Sequence, residues 1–264
     1  SYPEISKSSL QTLISNGILV EYHVQVDRIP DASDVVIPPA ALSTIQQTAL
    51  TEIQTSFEKH DVTLLHGVTS SGKTELYIHL IEEAVKQGKQ VLYLLPEIAL
   101  TTQIITRLQK HFGKSVGVYH SRYTGNERVE VWNHVLNFNP KVKGKHSQII
   151  LGARSALFLP YSNLGLIIVD EEHDSSYKQN DPAPRYNGRD TAMVLAKIHG
   201  AKTLLGSATP ALESYYNAEK DRYGKVELNE RHGGVEMPEI VVADMAEARK
   251  KKLMKSIFTP ILLE

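Results

Sequence analysis

Cysteine is absent from the sequence. A disulfide framework is thereby excluded, and so is a cysteine-ligated zinc site within these residues. The usage fits a reducing cytosol. No run reaches the roughly 18 uninterrupted apolar residues that suggest a membrane-spanning helix, and the N-terminus lacks the charged-then-apolar pattern of an export signal. A soluble, cytoplasmic protein with no membrane partner is expected. No sign of charge dominates either, the formal net charge being -1. Whole-molecule electrostatics therefore do not advertise nucleic-acid binding, although a local groove is enough to hold a phosphate backbone. There is no internal repeat and no low-complexity tract. What is present is ordinary for a globular chain: 264 residues, 41% hydrophobic and 22% charged. That length suits one large α/β domain with a small appendage and a sizeable core.

Residues 1–29 read as a small separate unit. The stretch from Lys7 to Ser15 suits a short helix with Leu10, Leu13 and Ile14 on one face, and Asn16-Gly17 can stop it. Residues 18–26 are β-branched and partly alternating, which predicts a strand. Helix, turn and strand in this order resemble the second half of a winged helix. Residues 30–40, with Pro30, Pro38 and Pro39, read as a linker. From residue 41 to about 245 short apolar runs alternate with helical patterns. Strands are predicted at 62–66, 91–95, 116–119, 148–152, 166–170 and 203–206, and helices at 73–87, 100–112 and 190–199. Such alternation implies a mostly parallel sheet covered on both faces, with ligands at the C-terminal ends of its strands. Residues 246–264 turn basic and then apolar; Ser256 to Pro260 reads as the entrance to another helix, which predicts a connection to a further lobe.

Gly67-Val68-Thr69-Ser70-Ser71-Gly72-Lys73-Thr74 fills every position of G-x-x-x-x-G-K-[ST]. An apolar strand pattern precedes it and a helical pattern follows, which is the context the chemistry needs. Small residues let backbone N–H groups curl around a phosphate, and the helix N-terminus adds partial positive charge. Lys73 can reach the β- and γ-phosphates, and the Thr74 hydroxyl can ligate Mg²⁺. Further on, a buried-type strand ends in Asp170-Glu171-Glu172-His173. Clustered carboxylates repel one another, and a divalent cation is a natural reason for them. Asp170 is placed to hold Mg²⁺ and Glu171 to orient or deprotonate a water. His173, which can donate and accept, can couple this site to a neighbouring motif.

A phosphate loop and an acidic box are shared by kinases, GTPases and motors. Gly206-Ser207-Ala208-Thr209-Pro210 follows another apolar strand, and no Asn-Lys-x-Asp guanine motif is present. Here the chain resembles superfamily 2 helicases, whose Ser-Ala-Thr motif links the ATP site to DNA movement. By that resemblance Ser207 and Thr209 take the coupling roles, and Asp170 to His173 resembles the Asp-Glu-x-His box. Leu42 to Gln46 resembles the upstream glutamine motif. An amide offers a donor and an acceptor to adenine, so Gln46 is the candidate adenine reader, with Gln47 as neighbouring competitor. Pro96 to Gln103 and Gly152 to Phe158 resemble motifs Ia and Ib, loops that present Arg154 and backbone groups to DNA phosphates. In motif Ib, Ala153 stands where threonine is expected.

The string from Asp170 to Gln179, followed by Arg185-Tyr186-Asn187-Gly188-Arg189-Asp190, closely resembles the replication-restart family of primosomal protein N′. The resemblance covers nearly the whole chain. It implies a RecA-like motor lobe using ATP and Mg²⁺. It also implies an aromatic-rich loop that senses DNA, in which Tyr177, Lys178, Arg185, Tyr186 and Arg189 are candidates for base stacking and phosphate contact. For the whole protein it implies 3′-to-5′ unwinding of forked DNA, primosome proteins and single-strand-binding protein as partners, a second motor lobe, and zinc in a cysteine-rich region this chain lacks. Alternatives are another superfamily 2 translocase of restriction or remodelling type, or a catalytically silent nucleotide-binding interaction module. Against the latter stand the intact Lys73, Thr74, Asp170 and Glu171.

Overall fold

Runs of valine, isoleucine and leucine without intervening charge are stable as strands where both faces are covered. In a computed structural model, which describes residues 7–19, 36–69, 71–96, 99, 102–120, 123–141, 147–229, 243–252, 256–259 and 262, these runs form the interior of one sheet. Its strands are β1 (Val62–Gly67), β2 (Gln90–Leu94), β3 (Val116–Tyr119), β4 (Ile149–Gly152), β5 (Leu164–Asp170), β6 (Lys202–Ser207) and β7 (Gly224–Leu228). The spatial order is β3-β4-β2-β5-β6-β1-β7, and every neighbouring pair runs parallel. The expected α/β, RecA-like lobe is therefore present, with a wholly parallel sheet.

The side chains of successive strand residues divide between two cores. Leu65, Val91, Tyr93, Leu166, Ile168 and Leu204 pack with α2 (Thr44–Lys59), α3 (Lys73–Lys86) and α4 (Thr102–Phe112). Leu64, Leu92, Leu94, Ile167, Val169 and Leu205 pack on the other side with α5 (Gly125–Leu136), α6 (Gly188–His199) and α7 (Leu212–Glu219). The adjacency of β5, β6 and β1 decides where the chemistry falls. Asp170 lies beside Gly206 and His66 beside Ser207 in the registers of these strands. The loops that follow the three strands thus leave the sheet side by side.

At the N-terminus α1 (Lys7–Ser15) forms where expected. It closes at Asn16-Gly17, with Ile18 N–H donating to Leu13 O and Gly17 N–H to Ile14 O, each at 3.0 Å. Most of the predicted strand at 18–26, on which the winged-helix resemblance depends, lies outside the described residues, as do 30–35 of the linker. Residues 36–40 are tied to the lobe: Ile37 N–H donates to Lys110 O at 2.9 Å, and Ala40 O lies 3.0 Å from His79 Nε2. A short α8 (Met245–Lys250) follows the lobe. Among the described residues no helix is long and apolar enough to cross a membrane.

Candidate nucleotide-binding site

β1 ends at Gly67 and α3 begins at Lys73, so the glycine-rich segment is a strand-to-helix loop. Gly72 caps α3 with φ +85°, a left-handed conformation that glycine adopts without a steric penalty. A Cβ there would stand 2.3 Å from Gln46 Nε2, so the Gln46 amide would have to shift to admit one. Lys73 Nζ donates to Gly67 O at 2.8 Å. The Ser71 hydroxyl oxygen is buried and has no hydrogen-bond partner among the described residues. An unsatisfied hydroxyl beside backbone N–H groups and a helix N-terminus fits a bound phosphate. Thr69 is exposed and Thr74 half-buried, while Ser70 lies outside the described residues.

Gln46 is 3% exposed. Its Oε1 accepts from Ser43 N–H at 3.0 Å and Ser43 Oγ accepts from Gln46 N–H at 3.3 Å, a capping box at the start of α2. Its Nε2 is buried against Gly72 with no partner among the described residues. The candidate adenine reader thus abuts the phosphate loop with a free donor, while one of its acceptor positions serves the helix. Gln47 is exposed on α2.

The acidic box divides. Asp170 ends β5 and is enclosed by tyrosines: Tyr77 Oη donates to its Oδ1 at 3.0 Å and Tyr93 Oη to its Oδ2 at 3.1 Å. Burial pushes the Asp170 carboxyl above its ordinary range and neighbouring Glu171 adds to the rise; the two tyrosines and Lys73 pull it back. Burial, then the charge of Asp170, hold both tyrosine hydroxyls well above their usual range, so they remain donors at neutral pH. Glu171 has φ +47°, a strained value for a residue with a side chain. It is held there from both sides, Glu171 N–H donating to Asp170 Oδ1 at 3.1 Å and Glu171 O accepting from Asp174 N–H at 2.8 Å.

Glu172 turns the other way. Its side chain is fully buried, and it accepts from Ala211 N–H at 2.7 Å, Ser214 Oγ at 2.8 Å and Arg189 Nη1 at 3.1 Å. The third carboxylate of the box is therefore a structural anchor for α6 and α7 rather than part of a metal cluster. Among the described residues no group of three or more His, Cys, Asp or Glu is placed to hold a metal. Mg²⁺ is commonly held through one or two carboxylates plus phosphate oxygens and water, and Asp170 beside the phosphate loop fits that mode.

His173 joins two loops. Its Nδ1 lies 2.7 Å from Ser207 Oγ and its Nε2 3.3 Å from Thr209 Oγ1. Thr209 N–H also donates to Ser207 Oγ at 3.0 Å. Residues from the ends of β5 and β6, far apart in sequence, thus share one imidazole.

The loop beyond the box corrects two expectations. Tyr177, expected to stack on bases, is 2% exposed, and its Oη donates to Asp170 O at 2.7 Å. Arg189, expected to face DNA, has an 11% exposed side chain bonded to Glu172 and Asp190. Burial alone lowers its pKa, but those two carboxylates outweigh that and the net change is upward. Both residues support the loop from beneath. Arg154 is partly exposed, and its Nη1 donates to Ser176 O at 2.7 Å and Lys178 O at 3.1 Å. Lys178 and Arg185 are exposed, with Lys178 Nζ donating to Arg185 O at 3.0 Å. Tyr186 is half-buried and meets the exposed Phe158 edge-on, ring centroids 5.2 Å apart. Phe158 has no expectation of its own from the sequence beyond membership of motif Ib. In motif Ia, residues 97, 98, 100 and 101 lie outside the described residues.

A sequence model of the DEAD/DEAH box helicases matches residues 43–218. The chain is 39% identical over 265 aligned residues to replication restart protein PriA of Bacillus subtilis, covering 99% of this chain and 32% of that protein. It is 41% identical over 265 residues to replication restart protein PriA of Rickettsia felis, covering 100% of this chain and 38% of the relative. The chain thus spans about a third of the length of these curated relatives. Among solved structures, the DUF1998 helicase MrfA bound to DNA is similar in fold, with a TM-score of 0.50 at 19% identity over 85% of this chain and 35% of that one. The chain belongs to the DEAD/DEAH box helicase family.

Proposed function

We propose that the chain is the ATP-binding motor lobe of a DNA helicase of replication restart. The observation that carries this reading is His173, whose ring bonds both Ser207 and Thr209. A motor must transmit events at a phosphate to a second surface, and an imidazole shared by the loops after β5 and β6 supplies a physical link for that. Similarity to replication restart proteins along nearly the whole chain supplies the biological setting.

On this reading Gly67, Thr69, Ser70, Ser71 and Gly72 cradle the phosphates of ATP, and Gln46 reads the adenine through its free Nε2. Lys73 exchanges Gly67 O for the β- and γ-phosphate oxygens. Thr74 and Asp170 would hold Mg²⁺, which would supply charge neutralisation for the transferred phosphoryl group. Glu171 orients a water in line with the γ-phosphorus and takes its proton as the new oxygen–phosphorus bond forms and the bond to the leaving ADP oxygen breaks. His173, Ser207 and Thr209 pass the change to the DNA side, where Arg154, Lys178, Arg185 and Tyr186 meet the strand. In the whole protein the same reading entails 3′-to-5′ unwinding at forks, with primosome proteins and single-strand-binding protein as partners.

A motor of this kind takes an arginine from a second lobe, worth on the order of 10³–10⁵ in rate. Steady-state hydrolysis by this chain, with and without forked DNA, is therefore expected to fall below that of the full-length protein by about that factor. DNA-stimulated turnover by the chain at the full-length rate would overturn the assignment of a single lobe.

A further inference from the structure

Tyr77 reaches Asp170 from the second turn of α3 and Tyr93 from within β2, sequence separations of 93 and 77 residues. Both tyrosines are 0% exposed, and their rings meet edge-on at 5.6 Å. An ionised carboxylate has about four lone-pair positions. On Asp170, Oδ1 accepts from Tyr77 Oη and Glu171 N–H, and Oδ2 accepts from Tyr93 Oη. Three donors thus leave one principal position, on Oδ2.

Gly206 makes the arrangement tight. A Cβ there would stand 1.9 Å from Tyr77 Oη, so the hydroxyl occupies space that only glycine leaves free. Other buried tyrosines of this chain satisfy themselves on backbone oxygens: Tyr161 Oη donates to Ala156 O at 3.0 Å and Tyr177 Oη to Asp170 O at 2.7 Å. Tyr77 and Tyr93 instead spend their donors on the one carboxylate that ends β5.

We infer that Tyr77 and Tyr93 are positioning residues: a buried two-hydroxyl clamp that fixes the Asp170 carboxylate and limits it to a single outward lone pair for Mg²⁺ or a water of its shell. The inference rests on the motor-lobe reading. Groups that orient a metal ligand from behind typically change metal affinity by about 10–100-fold when removed.

The test is a Mn²⁺ titration followed by electron paramagnetic resonance, with ADP, on the parent chain and on Tyr77→Phe, Tyr93→Phe and Tyr161→Phe. ADP affinity without metal is measured on the same samples. The ratio of the two affinities is read within each sample, so a partly unfolded variant still reports. Tyr77→Phe and Tyr93→Phe are each expected to weaken Mn²⁺ binding about tenfold with metal-free ADP affinity unchanged. Tyr161→Phe, which removes a buried hydroxyl bonded to Ala156 O instead of to Asp170, is expected to behave as the parent. Metal affinity in both clamp variants equal to the parent's overturns the clamp alone. A parent chain that binds ADP no better with Mn²⁺ than without overturns the motor reading beneath it.

Discussion

Asp170, Glu171 and Glu172 are chemically alike and adjacent, yet the fold gives them separate tasks. Asp170 is held by tyrosine hydroxyls, Glu171 is turned out by a left-handed backbone, and Glu172 is driven into the core against Arg189. Breaking a buried ion pair by removing one partner costs about 3–5 kcal/mol, because the other charge stays buried. Arg189→Ala is therefore expected to destabilise the lobe by about that amount in urea unfolding. A variant as stable as the parent would show that Glu172 is satisfied by Ala211 N–H and Ser214 alone. Lys73, Asp170 and His173 stand out in the sequence because each belongs to a short contiguous motif in the right context. Arg189 and Tyr177 lie beneath the loop, and an arginine or tyrosine in a polar loop has the same sequence signature whether it faces DNA or props the loop from below. Tyr77 and Tyr93 left no signal, since they reach Asp170 only through the fold.

The phosphate loop is a joint between α2 and α3 as well as a binding segment. Gly72 carries φ +85° and packs its α-hydrogen side against Gln46. Gly72→Ala incurs about 1–2 kcal/mol for a left-handed alanine, and the 2.3 Å approach to Gln46 Nε2 must also be relieved. The expected result is lower thermal stability together with loss of nucleotide binding; a variant that melts with the parent and still binds ATPγS would remove the joint from the account. β5 is legible from the apolar run Leu166 to Val169, and β1 from Val62, Leu64 and Leu65 ahead of the glycine-rich segment. β7 gives no apolar run in the sequence, because Lys225 and Glu227 interrupt it at the edge of the sheet, where a side chain can reach water and pair with its neighbour at 2.8 Å. α2 and α5 lack a clean apolar stripe, but each opens with a capping box, Ser43 with Gln46 and Thr124 with Glu127, and that signal in the sequence would have found them.

For the whole molecule, the strand order sets what can be neighbours. Because β5, β6 and β1 are consecutive, the acidic box, the Ser207–Thr209 loop and the phosphate loop share one edge, and the Arg154–Tyr186 surface hangs from the same box through Tyr177. The parallel sheet and its two cores were legible from the alternation of strands and helices; the order of the strands was not, since nothing local in a strand names its partner. On the motor-lobe reading, residues 67–74 with Asp170 form an adenine-nucleotide site. Its most direct test is a calorimetric titration of Mg·ATPγS and Mg·GTPγS into this chain and into Lys73→Ala. Binding that prefers the adenine nucleotide and vanishes in Lys73→Ala is the predicted result; binding that survives undiminished in Lys73→Ala would contradict the account.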